Sequence, residues 1–179
     1  MAGWRAQVLA LLCVLVSTTF SAMPVAAQAN LEFAVKANYL VRFAAFVDWP
    51  PGAFSQPSSP LVICVAGRNP FGTELVRAAM GQTAHGRSLR VVVNVTQATS
   101  SACHILYLGR GAEPAMIAAA PRAGLLTVSD AAASQRAGAI HFVVEASRVR
   151  FHIDSSRAQR SRLSISSRLL ALALTVTGV

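Results

Sequence analysis

Two cysteines, Cys64 and Cys103, carry chemistry that depends on where the protein folds. They allow one intramolecular pairing, and a disulfide between them would close a loop of roughly 40 residues, which by the chain-entropy estimate stabilises a fold by about 4 kcal/mol. Because each cysteine flanks an apolar run, two buried free thiols are the alternative. We expect the disulfide if the chain is exported, since exported proteins fold in an oxidising compartment.

The turn from Gly67 to Gly72 has the glycine spacing of a phosphate-binding loop. Thr73 and Glu74 follow it, where a nucleotide-hydrolysing loop requires Lys and Ser or Thr, so the turn is not such a loop. A strand-to-helix turn can still bind an anion through its backbone amides. Gly67, Arg68 and Gly72 are therefore candidate ligand-binding residues, and a simple tight turn is the alternative.

Basic side chains are scattered along a chain with 16 Lys and Arg against 7 Asp and Glu, a formal net charge of +9. One group near the carboxyl end supplies candidate partner-binding residues: Arg148, Arg150, His152, Arg157 and Arg160. Such a group can dock on acidic lipid headgroups or on an acidic protein surface. A solvated face is the alternative.

His141 and His152 would face each other in a hairpin, where they could share a metal ion or respond to pH. Two ligands are too few for structural zinc, and a solvated polar face is the simpler interpretation. His104, beside Cys103, is expected to pack rather than to bind a metal.

The patterns G-x-S-x-G and H-E-x-x-H and the full dinucleotide fingerprint are absent from the sequence. We therefore predict a protein that is not an enzyme and has no cofactor and no metal.

The amino end has the layout of a secretory signal peptide, with Arg5 before an apolar stretch and a small-residue processing site after it. We predict cleavage after Ala29, so that residues 1–29 are the signal peptide and residues 30–179 form a single domain. A retained anchor is the alternative, but an apolar core of about 9 residues is shorter than the roughly 20 that a membrane-spanning helix needs. The expected location is the periplasm, with no membrane span.

Helical and strand patterns alternate along the mature segment. Helices are predicted over 35–47, from about 69 to 80 and over 113–119, and strands over 61–66, 89–95, 104–108, 125–129, 140–145 and 148–153. This order predicts an α/β domain whose six-stranded sheet is largely parallel to mixed, with helices on both faces. In the tail, Ser166 is expected to cap a last helix with the apolar stripe Ile165, Leu169, Leu172, Ala173 and Val176.

The last two strands can be aligned residue by residue. If Ala146-Ser147 form a two-residue turn, Phe142 faces Phe151 on an apolar side, and His141 faces His152 on a polar side. A slip by one residue would mix the two sides, so the pattern supports this register. Ala-Ser is a poor sequence for the turns that favour hairpins, and a bulge is the alternative.

Several segments, in this order, resemble the YfiR-like family of periplasmic proteins. They are Val35-Lys36-Ala37-x-Tyr39-Leu40, Phe43-Ala44-x-Phe46-Val47-x-Trp49-Pro50, Ile63-Cys64-Val65-x-Gly67, Pro70-Phe71-Gly72, Cys103-His104-Ile105-Leu106, Leu126-Thr127-Val128-Ser129-Asp130 and Leu163-x-Ile165-Ser166-Ser167-Arg168-Leu169-Leu170. Each segment alone is weak evidence for this resemblance, whereas the order and spacing of the segments across the mature chain make the whole set specific for the family.

The resemblance implies a non-enzymatic periplasmic regulator that binds the periplasmic region of an inner-membrane diguanylate cyclase, and so lowers cyclic-di-GMP signalling and biofilm formation. Cys64 and Cys103 match the family's redox-linked cysteine pair, and a second pair found in some members has no counterpart here. The expected partners are that cyclase and a second copy of the chain, without nucleic acid. A periplasmic small-molecule receptor, with its ligand at the strand-to-helix turns, is the alternative.

Overall fold

A computed structural model of the protein describes residues 25–96, 102–112, 122–130 and 138–178. Its elements are, in chain order, α1 (Val25–Phe46), β1 (Val47–Asp48), β2 (Leu61–Ala66), α2 (Glu74–Ala79), β3 (Thr83–Ala84), β4 (Arg87–Val95), β5 (Ile105–Leu108), β6 (Leu126–Asp130), β7 (Ile140–Glu145), β8 (Arg148–Asp154), α3 (Ser155–Arg160), β9 (Ser164–Ile165), α4 (Ser167–Leu170) and β10 (Thr175–Thr177).

Eight of the strands form one mixed sheet in the order β10-β8-β7-β6-β5-β2-β4-β3. Neighbouring strands are parallel except in the pairs β7–β8 and β3–β4, which are antiparallel. All six residues of β2 are buried, as is typical of a central strand in a sheet that is covered on both faces. The strands β1 and β9 pair in a separate antiparallel ribbon.

The main core lies between α1 and one face of the sheet. Helical spacing puts Ala37, Leu40, Phe43 and Ala44 on the buried side of α1. The ring of Phe43 stacks on Phe142 of β7, with 5.7 Å between ring centroids, and meets Phe151 of β8 edge-on at 5.3 Å. These contacts fix α1 across the hairpin end of the sheet.

A second, smaller core lies on the opposite face of the sheet and includes Cys64, Leu106 and Leu108. Within the described residues, each of the four helices contributes at least one buried side chain to the first core and none to the second. The helix predicted over 113–119 falls outside the described residues, so the expectation of helices on both faces remains a prediction.

The predicted strand number of six is wrong. All six predicted strands are present with ends within two residues of the expected ones, and short strands β3 and β10 extend the sheet to eight. A strand of two or three residues is too short to show an alternating pattern in a sequence. Such strands form because a neighbouring strand offers unpaired backbone groups.

The predicted apolar stripe of the last helix is also wrong. Ser166 caps a helix as expected, its hydroxyl accepting from the Leu169 amide at 3.4 Å, but the helix ends at Leu170. Ile165 lies in β9, and Val176 lies in β10 between Thr175 and Thr177. These three consecutive β-branched residues favour a strand, and β10 adds to the edge of β8.

The first helix begins at Val25, ten residues before the predicted start, and continues through the predicted processing site after Ala29. Residues 1–24 lie outside the described part of the chain. The signal peptide and its cleavage therefore remain predictions. Among the described residues, no helix combines the length and the hydropathy that a membrane span requires.

Candidate functional site

The predicted hairpin register is confirmed. Phe142 pairs with Phe151 and His141 with His152, and the two-residue turn contains Ala146 and Ser147. Both turn residues have positive φ angles, 47° and 60°, which is the conformation of a type I′ turn without a bulge. The hairpin projects its polar face away from α1, because Phe142 and Phe151 occupy the face that α1 covers.

The candidate partner-binding residues lie along β8 and α3. Arg148 is exposed at the turn end of the hairpin, and Arg150 and His152 follow it, half-buried, on the same face of β8. On α3, Arg160 is exposed and Arg157 is half-buried. We call these five residues the basic stretch.

Asp154 joins the two parts of the basic stretch. Its carboxylate accepts from the Arg157 amide at 3.0 Å, which caps α3, and from the Arg157 side-chain Nε at 3.0 Å. Burial alone would raise the pKa of this carboxyl, but hydrogen bonds from Ser156 and Arg157 and the charge of Arg157 lower it. Arg157 is thus held by an acidic neighbour, whereas Arg148 and Arg160 form no ion pair among the described residues.

The two histidines of the hairpin have separate partners. His141 is only 7% exposed, so the expectation of a solvated histidine pair is wrong for this residue. Its Nδ1 lies 2.9 Å from the Ser129 hydroxyl, while His152 Nδ1 lies 2.7 Å from the Thr175 hydroxyl. Among the described residues, no group of three or more His, Cys, Asp or Glu side chains could hold a metal ion.

The predicted disulfide between Cys64 and Cys103 is present, with the two Cα atoms 5.8 Å apart. Cys64 lies in the central strand β2 and Cys103 lies just before β5, the strand next to it. Each cysteine is about 1% exposed, so the bond lies inside the second core. A reductant can therefore reach this bond only when that face of the sheet opens.

His104 links the disulfide to a surface loop. Its Nδ1 accepts from the Val62 amide at 3.1 Å, so its Nε2 carries the proton and donates to the Ala53 carbonyl at 3.1 Å. Burial is the main reason why the pKa of His104 is lowered, and the positive charges of Arg122 and Arg87 act in the same direction. The expectation that His104 packs is confirmed.

A stack of three side chains continues from His104 to the surface. The ring of Phe54 lies on His104 at 4.3 Å, and the Arg87 guanidinium lies over Phe54 at 3.8 Å. Arg87 also donates to the carbonyls of Gln56 and Ser59, which holds the loop before β2 in place. Next to the stack is an open cavity of about 400 Å³. We call it the aromatic groove; its lining is Asp48, Trp49, Pro50, Pro51, Gly52, Phe54, His85 and Arg87.

The glycine-spaced turn is packed against its own chain. The Arg68 amide donates to the Arg110 carbonyl at 2.8 Å, and the Asn69 side chain accepts from the Phe71 amide at 3.0 Å. A Cβ added to Gly67 would lie 2.6 Å from the backbone of residue 112, so glycine is required there. The ligand-binding roles of Gly67, Arg68 and Gly72 remain predictions.

A buried polar network was not foreseen from the sequence. Lys36 of α1 is 2% exposed, and its ammonium donates to Glu32 at 2.5 Å and to Asp130 at 3.2 Å. The Tyr107 hydroxyl of β5 also donates to Asp130, at the carboxyl end of β6. Burial, followed by this hydrogen bond, raises the pKa of Tyr107 far above its ordinary value. The network ties α1 to the carboxyl edge of the parallel strands.

One sequence signal could have revealed this network. Lys36 is the single lysine of the chain, and it precedes the buried Leu40 by four residues and the buried Phe43 by seven. A charge at that spacing lies on the apolar side of a helix, where it requires a charged partner. The partner could not be identified from the sequence, because Asp130 is 94 residues away.

A family model described as YfiR/HmsC-like matches residues 33–174. The match includes α1 from Phe33 onward, both cysteines and the basic stretch. No curated protein matches the chain.

Proposed function

The chain belongs to the YfiR/HmsC-like family, whose members regulate diguanylate cyclases, and from this membership we propose that it is a periplasmic, non-enzymatic inhibitor of such a cyclase. In this proposal, the protein binds the periplasmic region of a cyclase anchored in the inner membrane and keeps the enzyme inactive. Release of the cyclase raises cyclic-di-GMP and favours biofilm formation. The observation that carries the proposal is the family match over residues 33–174.

The basic stretch is the surface that we assign to the cyclase. Arg148 and Arg160 are exposed and have no acidic partner among the described residues, so their charges are available to an acidic surface. The packing of α1 behind β7 and β8 gives the hairpin a rigid base. Charged groups on a rigid element increase the rate and the specificity of association.

The disulfide supports the proposed export of the protein, because structural disulfides are rare in the cytosol. An exported regulator meets only the periplasmic part of a membrane enzyme, so inhibition must act through that part. The buried position of the disulfide supports a structural role, and reduction would act by loosening the second core.

A membrane pull-down tests the proposal. The exported protein, tagged at its carboxyl end, is incubated with solubilised inner membranes of its own host, and bound proteins are identified by mass spectrometry. We expect a diguanylate cyclase in the eluate, and we expect Arg148→Glu combined with Arg160→Glu to reduce its recovery at least tenfold. The matched control is Arg90→Glu, an exposed arginine on β4. The proposal is contradicted if no cyclase is recovered, or if the double variant recovers as much cyclase as Arg90→Glu does.

A small-molecule receptor is the second candidate, and the aromatic groove is the observation that favours it. Trp49, Phe54 and Arg87 supply flat apolar surface and a positive charge, and the groove has a volume of about 400 Å³, within the usual range of ligand sites. Screening a library of periplasmic metabolites by a thermal-shift assay separates the two candidates. A ligand that stabilises the wild type but not Trp49→Ala would favour the receptor.

A further inference from the structure

The loop between β1 and β2 is tied to the sheet at two places. His104, just before β5, donates from its Nε2 to the Ala53 carbonyl at 3.1 Å. Arg87 of β4 donates to the carbonyls of Gln56 and Ser59, at 3.0 and 2.7 Å. Because this loop supplies much of the wall of the aromatic groove, the two ties help to set the shape of the groove.

The position of His104 requires a neutral ring. The Val62 amide is a donor 3.1 Å from Nδ1, so Nδ1 must be the ring nitrogen without a proton. Protonation turns both ring nitrogens into donors, and the hydrogen bond to Val62 is then lost. A buried amide without an acceptor is unfavourable. Protonation therefore favours departure of the ring from this position.

The charged groups around His104 also oppose a proton on its ring. Phe54 stacks on His104, with 4.3 Å between ring centroids, and the Arg87 guanidinium lies 3.8 Å from the centroid of the same Phe54 ring. Two groups this close to one ring lie on its opposite faces, so a protonated His104 would place a cation on each side of Phe54. Arg122, from the segment before β6, adds a further positive charge. Asp48, the one carboxylate of the groove lining, forms no ion pair with His104 among the described residues.

We propose that His104 is a proton switch that opens the aromatic groove in acid. With the ring neutral, Ala53 and Phe54 are held against the sheet, and the wall of the groove is closed. When the ring takes up a proton and leaves its place, the stack with Phe54 breaks and this part of the loop is released. The tie through Arg87 remains, so the change is a local opening and not unfolding.

The direction of the pH dependence follows from the state that binds the proton more readily. In the closed state, burial and the two arginines lower the pKa of His104 below its ordinary value of 6.5. Once the ring is released into water these effects weaken, and its pKa returns toward that value. The open state therefore binds the proton better, and a falling pH shifts the population toward it. The midpoint of the opening lies below pH 6.5.

The switch would regulate the site of the second candidate function, and in that respect it rests on that function. Trp49 stays in place on opening, because its Nε1 donates to the Gly124 carbonyl at 3.1 Å. A ligand that contacts both Trp49 and Phe54 would therefore bind at neutral pH and be released in acid. The opening itself is measured without a ligand, so the two proposals can fail separately.

Trp49 reports the opening directly. It is the one tryptophan of residues 30–179, and it lies edge-on to Phe54 with 6.3 Å between ring centroids. His85 lies edge-on to Trp49 at 6.1 Å, so protonation of His85 would also change the fluorescence of Trp49. The measurement therefore uses His85→Asn as its background. Acrylamide is the quencher, because it is neutral and its access to the indole does not depend on charge.

The quenching constant separates the switch from other effects of pH. In the exported protein with His85→Asn, the acrylamide quenching constant of Trp49 should rise at least twofold between pH 7.5 and 5.0, while the circular dichroism stays unchanged. Adding His104→Asn keeps an acceptor for the Val62 amide but removes the group that titrates. The quenching constant of this double variant should not change with pH, whatever its level. A constant that stays flat in the first variant, or rises equally in both, would overturn the proposal.

A titration followed by nuclear magnetic resonance tests the switch in the wild type, without any substitution. The ring resonances of His104 and of Phe54 should move with the same midpoint, below pH 6.5. If His104 titrates while the Phe54 resonances stay unchanged, the ring takes up a proton without releasing the loop, and the proposal is wrong. It is equally wrong if His104 stays neutral until the whole protein unfolds.

Discussion

At the scale of single residues, the stability of the fold depends on polar groups that are buried with their partners. Lys36 lies between Glu32 and Asp130, and His104 lies between the Val62 amide and the Ala53 carbonyl. A buried charge or ring nitrogen without such partners would cost several kcal/mol. Both residues belong to the segments that resemble the family, and both are buried in the fold. Their function is to hold α1 and the loop before β2 in place.

Replacement of Lys36 tests the buried network. Lys36→Met leaves the carboxylate of Asp130 without its ammonium partner, and we expect the free energy of unfolding to fall by about 3–5 kcal/mol. Adding Asp130→Asn removes the negative charge at this position and should restore part of the loss. The control is Arg77→Met, which breaks the exposed pair with Glu74 and should change stability by less than about 0.5 kcal/mol. Urea unfolding measures the free energy of unfolding of all three variants. Similar losses for Lys36→Met and Arg77→Met would contradict a stabilising role of the buried network.

The lowered pKa of His104 predicts a pH dependence of stability. Burial opposes protonation of this ring in the folded state but not in the unfolded state. The contribution of His104 to the free energy of unfolding is therefore fully present above the unfolded-state pKa of 6.5, and it is lost as the pH decreases below that value. His104→Asn keeps an acceptor for the Val62 amide but cannot be protonated. When the pH is lowered from about 7.5 to 5.5, the free energy of unfolding should fall less for this variant than for the wild type. The difference between the two losses should be up to roughly 1.4 kcal/mol for each pH unit below the unfolded-state pKa.

The control for this measurement is His85→Asn. His85 is exposed and has a φ of 51°, a conformation that asparagine tolerates well. This variant should follow the pH profile of the wild type. If His104→Asn also follows it, the protonation of His104 is not the cause of the acid sensitivity.

At the scale of elements, the hairpin β7–β8 is the part of the fold that the sequence specifies most completely. Alternation of apolar and polar residues predicts its register, and the pairing of Phe142 with Phe151 confirms it. The reason is that a slip by one residue would expose both rings and bury Arg150. The tail has no comparable constraint, because its apolar residues at helical spacing fit a helix and a short strand equally well. Only the unpaired edge of β8 favours β10, and that edge is a property of the assembled sheet.

The turn of the hairpin offers a stabilising substitution. Ala146 and Ser147 both have positive φ angles, which are unfavourable for side chains other than glycine and asparagine. Ala146→Asn combined with Ser147→Gly should therefore raise the free energy of unfolding by about 1 kcal/mol. The control is Ala171→Gly, at a φ of −66°, where glycine gives no relief and should lower stability slightly. A hairpin variant less stable than the wild type would mean that the turn has another conformation.

At the scale of the whole molecule, the two faces of the sheet carry different features. One face carries α1 and the main core, and the other carries the disulfide and the polar side of the hairpin. The α/β class and the largely parallel sheet could be predicted because strands and helices alternate along the chain. The buried network and the aromatic groove could not, since each is formed by residues that only the folded sheet brings together.

If the protein restrains a diguanylate cyclase through the basic stretch, as we propose, the cellular level of cyclic-di-GMP shows it most directly. In the native host, deletion of the gene should raise this level several-fold, and the wild-type gene should restore it. Arg148→Glu with Arg160→Glu should fail to restore it although the protein accumulates in the periplasm, whereas Arg90→Glu should succeed. A deletion that leaves cyclic-di-GMP unchanged, or a double variant that restores it fully, would contradict the account.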